Sequence, residues 1–312
     1  MLHLISLEHW STDLIDEVLA LAQKVKKKRG DYSDAMRRKT LMMIFEKPSL
    51  RTRVSFETGF AQMGGHAIFY DTATSPLGAG KESVADMIRV VSRYVDIIMC
   101  RLFEQAHIEE MAKLSRVPVI NGLTNYSHPC QILADLMTAQ EHKGTLKGLK
   151  LAYFGDGNNN VTHSLLFGCT KMGMHVSIGC PKGEEYSPLE EVIALATKAG
   201  AETGANVLVT QDPREAVAGA DIVYTDSWMS YHIPQHKTEA RVRVFKPYQV
   251  NAELMKLAAK DALFMNCLPA MRGYEQTAEV IDGPQSVVFD EAENRLHVQK
   301  AVMLKLLEAS KK

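Results

Sequence analysis

Short apolar runs alternate along the chain with longer segments in which apolar residues recur at helical spacing. The runs have the length and residue types of buried strands: TLMMIF (40–45), VDIIMC (95–100), VPVIN (117–121), LKLAYF (149–154), HVSIGC (175–180), NVLVT (206–210), DIVYT (221–225) and ALFMNCL (262–268). The segments between them include QILADLMTAQEH (131–142) and SPLEEVIALATKA (187–199), which predict helices. This order predicts an α/β fold with two doubly wound, mostly parallel sheets and helices on both faces.

The length of 312 residues suits two domains better than one compact core. The polar segment HKGTLKGLK (142–150) carries two glycines, follows a helical pattern and precedes a new strand, so it predicts the boundary. We therefore expect one domain over residues 1–145 and a second over residues 146–292. The last segment, AENRLHVQKAVMLKLLEAS, has apolar residues at helical spacing and predicts a C-terminal helix over about residues 293–312.

The composition excludes several classes of function. The net charge is −1, so the chain as a whole carries no strong field for nucleic acid or a membrane surface. No segment approaches the roughly 18 consecutive apolar residues of a membrane span. The five cysteines show neither C-x-x-C nor zinc-site spacing, so we expect reduced thiols, a cytoplasmic location and no metal.

Polar segments follow six of the predicted strands. In open α/β sheets, ligands bind just beyond the carboxyl ends of the strands, so these segments are candidates for a binding site. They are EKPSLRTR, Arg101, NGLTNYSHPCQ, GDGNNN, DSWMS and NCLPAMRG.

The segment SLRTR has the residues of a phosphate site at a helix start. Ser49 follows Pro48 and precedes a helical pattern, so it predicts a helix N-cap. The backbone N–H groups of the first turn, with Arg51 and Thr52, then offer several donors to an anion. By itself this segment also fits an ordinary capped helix with solvated arginines.

The segment HPCQ predicts a second helix start, because Pro129 suits a first turn. His128 and Gln131 are three residues apart, so both can face one ligand and bind a carbonyl or an amide group. The alternative is a helix cap with a buried histidine.

The segments GDGNNN, DSWMS and NCLPAMRG have side chains suited to a small zwitterion. GDGNNN lacks the spacing G-x-G-x-x-G, which argues against a dinucleotide site, whereas its asparagines can hold an amino acid. Asp226 can bind an ammonium group. For Ser230 a plain polar turn is the alternative, and for Cys267 the alternative is a small buried thiol.

Taken together, these segments resemble the aspartate/ornithine carbamoyltransferase family, and within it the ornithine branch. The resemblance rests on FEKPSLRTRVSFE, HPCQILADL, GDGNNNVTHSLL, TDSWMS, NCLPAMRG and IDGPQSVVFDEAENRLHVQKA, which cover nearly the whole chain in the family's order.

The resemblance implies a function and an assembly. The first domain would bind carbamoyl phosphate, with the C-terminal helix packed back on it, and the second would bind the amino acid. The carbamoyl group would pass to the side-chain amine of ornithine, giving citrulline and phosphate. A homotrimer, or a multiple of trimers, without metal or organic cofactor is implied.

The resemblance also assigns residues. Those expected to hold carbamoyl phosphate are Ser49, Leu50, Arg51, Thr52, Arg101, His128, Gln131, Cys267, Leu268 and Arg295. Those expected to hold ornithine are Asn159 or Asn160, Asp226, Ser230 and Tyr231. The expected catalytic residues are Arg51, Arg101, His128, Cys267 and Arg295.

The sequence departs from the family's pattern at several positions. Leu50 replaces a threonine, Pro76 stands where the family carries Gln or His, Tyr231 lies in the loop that closes over ornithine, and Asn266 replaces a histidine. These changes concentrate on the acceptor side. They leave open an N-acylated ornithine or putrescine as acceptor, or a catalytically silent metabolite-binding relative.

Overall fold

A computed structural model describes residues 1–75, 77–78, 80–229 and 233–310. The chain divides into two compact units: unit 1 comprises Met1–Met137 with Glu293–Lys312, and unit 2 comprises Thr138–Ala292. Two helices, Pro129–Lys143 and Val288–Ala309, each belong partly to one unit and partly to the other.

Unit 1 is built on a parallel sheet. Its strands are β1 (Thr40–Phe45), β2 (His66–Asp71), β3 (Ile97–Arg101) and β4 (Val119–Leu123), in the order β2-β1-β3-β4. Its helices are α1 (Thr12–Lys27), α2 (Leu50–Gln62), α3 (Val84–Val91), α4 (Gln105–Leu114) and the beginning of α5 (Pro129–Lys143).

Unit 2 is built on a second parallel sheet. Its strands are β5 (Lys150–Phe154), β6 (His175–Gly179), β7 (Val207–Thr210), β8 (Ile222–Thr225) and β9 (Leu263–Met265), in the order β7-β6-β5-β8-β9. Its helices are α6 (Asn160–Lys171), α7 (Glu190–Thr203), α8 (Pro213–Val217), α9 (Thr238–Phe245), α10 (Ala252–Met255) and α11 (Ala278–Ile281). Helix α12 (Val288–Ala309) then enters unit 1.

Each unit has a doubly wound α/β sheet, as the alternation of apolar runs and helical segments predicts. In each sheet the central strands are buried, whereas the edge strands β2 and β7 are partly exposed. The strand order reverses between β1 and β3 in unit 1 and between β5 and β8 in unit 2. The carboxyl ends at such a reversal are where ligands bind in these folds.

The eight predicted strands are confirmed, each within a few residues of its predicted limits. Strand β2, whose sequence is HAIFYD, was not predicted. The C-terminal helix is confirmed and begins earlier than expected, at Val288. No helix in the described part of the chain is long and apolar enough to cross a membrane.

Candidate active site

The N-terminus of α2 lies at the carboxyl end of β1, and Ser49 caps it. The Ser49 Oγ accepts a hydrogen bond from the Thr52 N–H (3.3 Å) and donates to the Thr52 Oγ1 (3.1 Å), which confirms the predicted N-cap. Leu50 is 77% exposed and Arg51 is half-buried. The first turn of α2 therefore presents its backbone N–H groups and the Arg51 guanidinium at this end of the sheet.

Arg295 of α12 joins α2 to α5 within unit 1. Its guanidinium donates to the Gln131 Oε1 (2.6 Å) and the Thr52 Oγ1 (3.3 Å). The Gln131 Nε2 in turn donates to the Asp135 Oδ1 (2.8 Å). Arg295, Gln131 and Thr52 are all buried, so these bonds fix the three side chains relative to one another.

His128 lies buried just before α5, in a strongly cationic environment. Burial, followed by the positive charges nearby, holds the pKa of His128 well below its usual value. The imidazole is therefore neutral at pH 7. The charges that act on it belong to Arg295, Arg101, Arg51 and Lys47.

Arg101 ends β3 and is buried. The pairing of β3 with β4 shifts register between Cys100 and Arg101, so the strand is irregular at the arginine. Such irregularities re-aim a side chain at the edge of a sheet. The charges of four cationic side chains, one of them in the first turn of α2, thus act on one neutral histidine, an arrangement that favours a ligand with more than one negative charge.

Lys47 belongs to this cluster, although the sequence alone did not single it out. The side chain is buried, its Nζ donates to the Asn125 Oδ1, and it lies 4.4 Å from the centre of the Phe103 ring. Burial first, and the charge of Arg101 second, lower the pKa of Lys47 to about 8. The signal was present in the segment EKPSLRTR, but a lysine in a loop is usually solvated.

In unit 2, the turn between β5 and α6 distinguishes the two candidate asparagines. Asn159 caps α6: its Oδ1 accepts from the Thr162 N–H (2.8 Å), and its Nδ2 donates to the Tyr153 hydroxyl (2.8 Å) and the Asp156 carbonyl (2.7 Å). Asn159 is therefore buried and committed to the turn. Asn160, the first residue of the helix, is half-buried.

Asp226 and Cys267 meet at the carboxyl ends of β8 and β9. The Cys267 thiol donates to the Asp226 Oδ1 (3.2 Å), and both residues are half-buried. Asp226 also acts on the buried Tyr153, whose pKa is raised well above its usual value, mainly by burial. A carboxylate and a thiol thus share one position where an amine can be bound.

The turn after β9 is held by Asn266, which is fully buried. Its Oδ1 accepts from the Leu268 N–H (2.7 Å), and its Nδ2 donates to the Gln276 Oε1 (3.2 Å). The Asn266 N–H donates to Glu291 (3.0 Å). Leu268 has a φ of 55°, a conformation that non-glycine residues seldom adopt, and the bond to Asn266 supports it.

Three positions of interest, Pro76, Ser230 and Tyr231, lie outside the described residues. The other predicted residues fall into two groups. Unit 1 brings together Ser49, Leu50, Arg51, Thr52, Arg101, His128, Gln131 and Arg295, and unit 2 brings together Asn159, Asn160, Asp226, Cys267 and Leu268. Within the described ranges, no group of three or more His, Cys, Asp or Glu side chains is arranged to hold a metal ion.

Comparison with known proteins also divides the chain in two near residue 140, although the second family model continues to residue 306, into the part of α12 that belongs to unit 1. Residues 2–141 match the model of the aspartate/ornithine carbamoyltransferase carbamoyl-P binding domain, and residues 147–306 match the Asp/Orn binding domain of that family. The chain is 52% identical over 305 residues to the ornithine carbamoyltransferase of Carboxydothermus hydrogenoformans, covering 97% of this chain and 96% of that protein.

Two further relatives carry the same name. The ornithine carbamoyltransferase of Symbiobacterium thermophilum is 53% identical over 301 residues, which cover 96% of each chain. The solved structure of the ornithine carbamoyltransferase from Pyrococcus furiosus has a TM-score of 0.93 at 47% identity and covers 98% of this chain and 97% of that one. This chain therefore belongs to the aspartate/ornithine carbamoyltransferase family.

Proposed function

We propose that this protein transfers the carbamoyl group of carbamoyl phosphate to the side-chain amine of ornithine, giving citrulline and phosphate. The observation that carries the proposal is the cluster of four cationic side chains around the neutral His128 in unit 1. Its charge suits a phosphate dianion, and the neutral imidazole suits a carbonyl group. The names of the relatives, ornithine carbamoyltransferases at about half identity over nearly the full length, supply the acceptor.

Carbamoyl phosphate occupies the α2 N-terminus in this proposal. The Ser49 hydroxyl and the backbone N–H groups of the first turn donate to the phosphate, and Arg51 and Arg101 neutralise its charge. Leu50 contributes its backbone N–H, so the loss of the family's threonine hydroxyl leaves that bond in place. Arg295 orients Thr52 and Gln131 through the hydrogen bonds described above.

The reaction builds up negative charge in two places. The neutral amine attacks the carbonyl carbon, a C–N bond forms, and a tetrahedral oxyanion results. Thr52 and His128 donate to that oxygen as the charge develops. The C–O bond to phosphate then breaks, and phosphate leaves with the electron pair and takes up the proton that the amine loses. Each well-placed donor is worth about 3–4 kcal/mol of barrier.

Unit 2 holds the amino acid. Asp226 binds the ammonium group, and Cys267 lies beside it because its thiol is bonded to the same carboxylate. We assign the contact with the acceptor to Asn160 and not to Asn159, since the Asn159 amide is committed to the helix cap and to Tyr153. The carbonyl groups at Cys267 and Leu268 accept from the carbamoyl N–H₂, because the Leu268 N–H is already bonded to Asn266.

The assembly we propose is a trimer or a multiple of trimers in the cytoplasm. It is supported by an apolar surface on unit 1: Leu50 (77% exposed) and Val54 (50%) lie one turn apart on α2, and Ile68 (40%) lies on the edge strand β2. Exposed apolar groups beside a sheet edge are typical of a surface that another subunit covers. All five cysteines are thiols, which suits a reducing compartment. Light scattering should give three times the chain mass, or a multiple of it.

The test is a steady-state assay with carbamoyl phosphate and four amines: ornithine, N-acetylornithine, putrescine and aspartate. We expect ornithine to be used with the highest kcat/KM. Aspartate should be the poorest, because Asp226 repels a second carboxylate. Higher kcat/KM with N-acetylornithine or putrescine would show a different acceptor. Binding of carbamoyl phosphate in a calorimeter without turnover of any amine would show a silent relative.

A further inference from the structure

Arg241 of α9 is a half-buried cation in unit 2 that neither the sequence pattern nor the proposed chemistry uses. Its Nε donates to the Trp228 carbonyl (2.8 Å), and its terminal nitrogen is bonded to the Asp156 carboxylate. The guanidinium also lies over two rings, 4.8 Å from the centre of Phe245 and 6.0 Å from that of Tyr186. Only 12% of the Arg241 side chain and 6% of the Asp156 side chain are exposed.

Asp156 builds the turn that presents Asn160. Its carboxylate accepts from the Asn158 N–H (3.1 Å). Its carbonyl accepts from the Asn159 Nδ2 (2.7 Å) and the Thr162 hydroxyl (3.3 Å). The position of the first residue of α6 therefore depends on where Asp156 is held.

Trp228 fixes the segment that carries Asp226, two residues before it. The backbone N–H of Trp228 donates to the Glu275 carboxylate (3.2 Å), and its backbone carbonyl accepts from Arg241. Its indole lies against Gly155, where an added Cβ would come within 3.1 Å of the indole nitrogen. Arg241 thus bonds at the same time to the turn after β5 and to the segment after β8.

These two segments follow neighbouring strands, since Phe154 of β5 is paired with Thr225 of β8. A buried ion pair is an expensive way to stabilise a fold, because desolvation offsets much of its attraction. Its geometric value is greater, because a guanidinium with two fixed acceptors holds them at a set separation.

We propose that Arg241 and Asp156 are positioning residues for the amino-acid acceptor, holding Asn160 and Asp226 at the separation that binds it. The inference rests on the proposed function. By neutralising Asp156, Arg241 also leaves Asp226 as the carboxylate that meets the acceptor's ammonium group.

The pair gives the site a measurable response to pH. Burial raises the pKa of Asp156 to about 6, while Arg241 opposes the rise. Protonation as pH falls through this value weakens the ion pair, so acceptor binding should weaken there. The groups whose charges act on Asp156, or on which it acts, are Arg241, Asp226, Tyr153, Cys180 and Tyr186.

The test compares the full-length variants R241Q and R241K with R243Q, which makes the same change at an exposed arginine of the same helix. R241Q should raise the KM for ornithine on the order of 10- to 100-fold, the effect of a small misplacement of a binding group. The KM for carbamoyl phosphate should stay within about twofold of wild type. R241K keeps a positive charge beside Asp156, so its KM for ornithine should lie between those of R241Q and wild type. The KM values of R243Q should match those of wild type.

The pH profile separates positioning from a general structural role. At saturating carbamoyl phosphate, kcat/KM for ornithine in the wild type already falls with pH because the side-chain amine becomes protonated, and it should fall more steeply below about pH 6, the pKa of Asp156. In R241Q this limb should move to higher pH, because the guanidinium no longer favours the carboxylate. If R241Q does not fold, R241K must still show a raised ornithine KM.

Two results overturn the inference alone: an active wild type with R241Q indistinguishable from R243Q, or equal losses toward both substrates with an unmoved acid limb. A wild-type protein that carbamoylates no ornithine would instead overturn the proposed function, and the inference with it.

Discussion

The replacement of Arg51 by alanine tests the phosphate site most directly. Arg51 lies in the first turn of α2, is half-buried, and is one of four cations whose charges act on His128. Its removal leaves the helix cap in place, because that cap is made by Ser49 and Thr52. The variant should therefore keep its fold and lose one charged donor to the transferring group.

The magnitude follows from these contacts. Removal of one preorganised donor to a developing negative charge costs about 2.7–4 kcal/mol, or about 100- to 1000-fold in kcat. Since Arg51 is partly exposed and its loss leaves no buried polar group without a partner, the free energy of unfolding should change by no more than about 0.5 kcal/mol. A large loss of turnover with an almost unchanged stability is the expected signature.

The assay is citrulline formation at saturating ornithine, with urea unfolding in parallel. Arg116→Ala is the matched control, because Arg116 is an exposed arginine just before β4. It therefore lies at the amino ends of the parallel strands, whereas Arg51 lies at their carboxyl ends. That variant should keep full activity. If Arg51→Ala turned over ornithine at close to the wild-type rate, the assignment of the phosphate to the α2 N-terminus would be refuted.

Two further predictions concern groups that the sequence did not single out. Burial lowers the pKa of Lys47 to about 8, so kcat/KM for carbamoyl phosphate should fall as pH rises through that value and the ammonium loses its charge. The Lys47→Arg variant stays charged and should lose this alkaline limb. A pH profile with the same alkaline limb in the variant would contradict the reasoning. Glu291 is fully buried and accepts from the Tyr224 hydroxyl (3.2 Å) and the Asn266 N–H (3.0 Å). Glu291→Leu removes the acceptor of both bonds and should lower the free energy of unfolding, measured in urea, by about 3 kcal/mol. Glu291→Gln should cause a smaller loss, and equal stability of the three proteins would show that these bonds contribute little.

The sequence predicts the central strands well because parallel strands buried on both faces read as continuous apolar runs. Strand β2 escaped prediction for the converse reason. Its sequence HAIFYD contains only the four-residue apolar run AIFY, and the strand lies at the edge of the sheet with all of its side chains exposed or half-buried. Apolar runs in the sequence therefore indicate which residues are buried more directly than they indicate which residues form a strand.

The same limit applies to the site. Ser49 could be predicted as a cap because its partner Thr52 is three residues away. The role of Arg241 could not, since its partners Asp156 and Trp228 are distant in sequence and meet it only in the fold. The commitment of the Asn159 amide to the turn also needed the structure, because its bonds to Tyr153 and Thr162 are visible only in the fold.

Asn266 shows how a departure from the family pattern can be read in two ways. In the sequence it stands for a histidine beside Cys267 and so raises the prospect of a different acceptor. In the structure its side chain is fully buried, and both of its amide atoms bond to neighbouring groups, Leu268 and Gln276. The substitution therefore alters how the turn is supported, and the thiol beside it remains bonded to Asp226. This residue therefore no longer argues against ornithine.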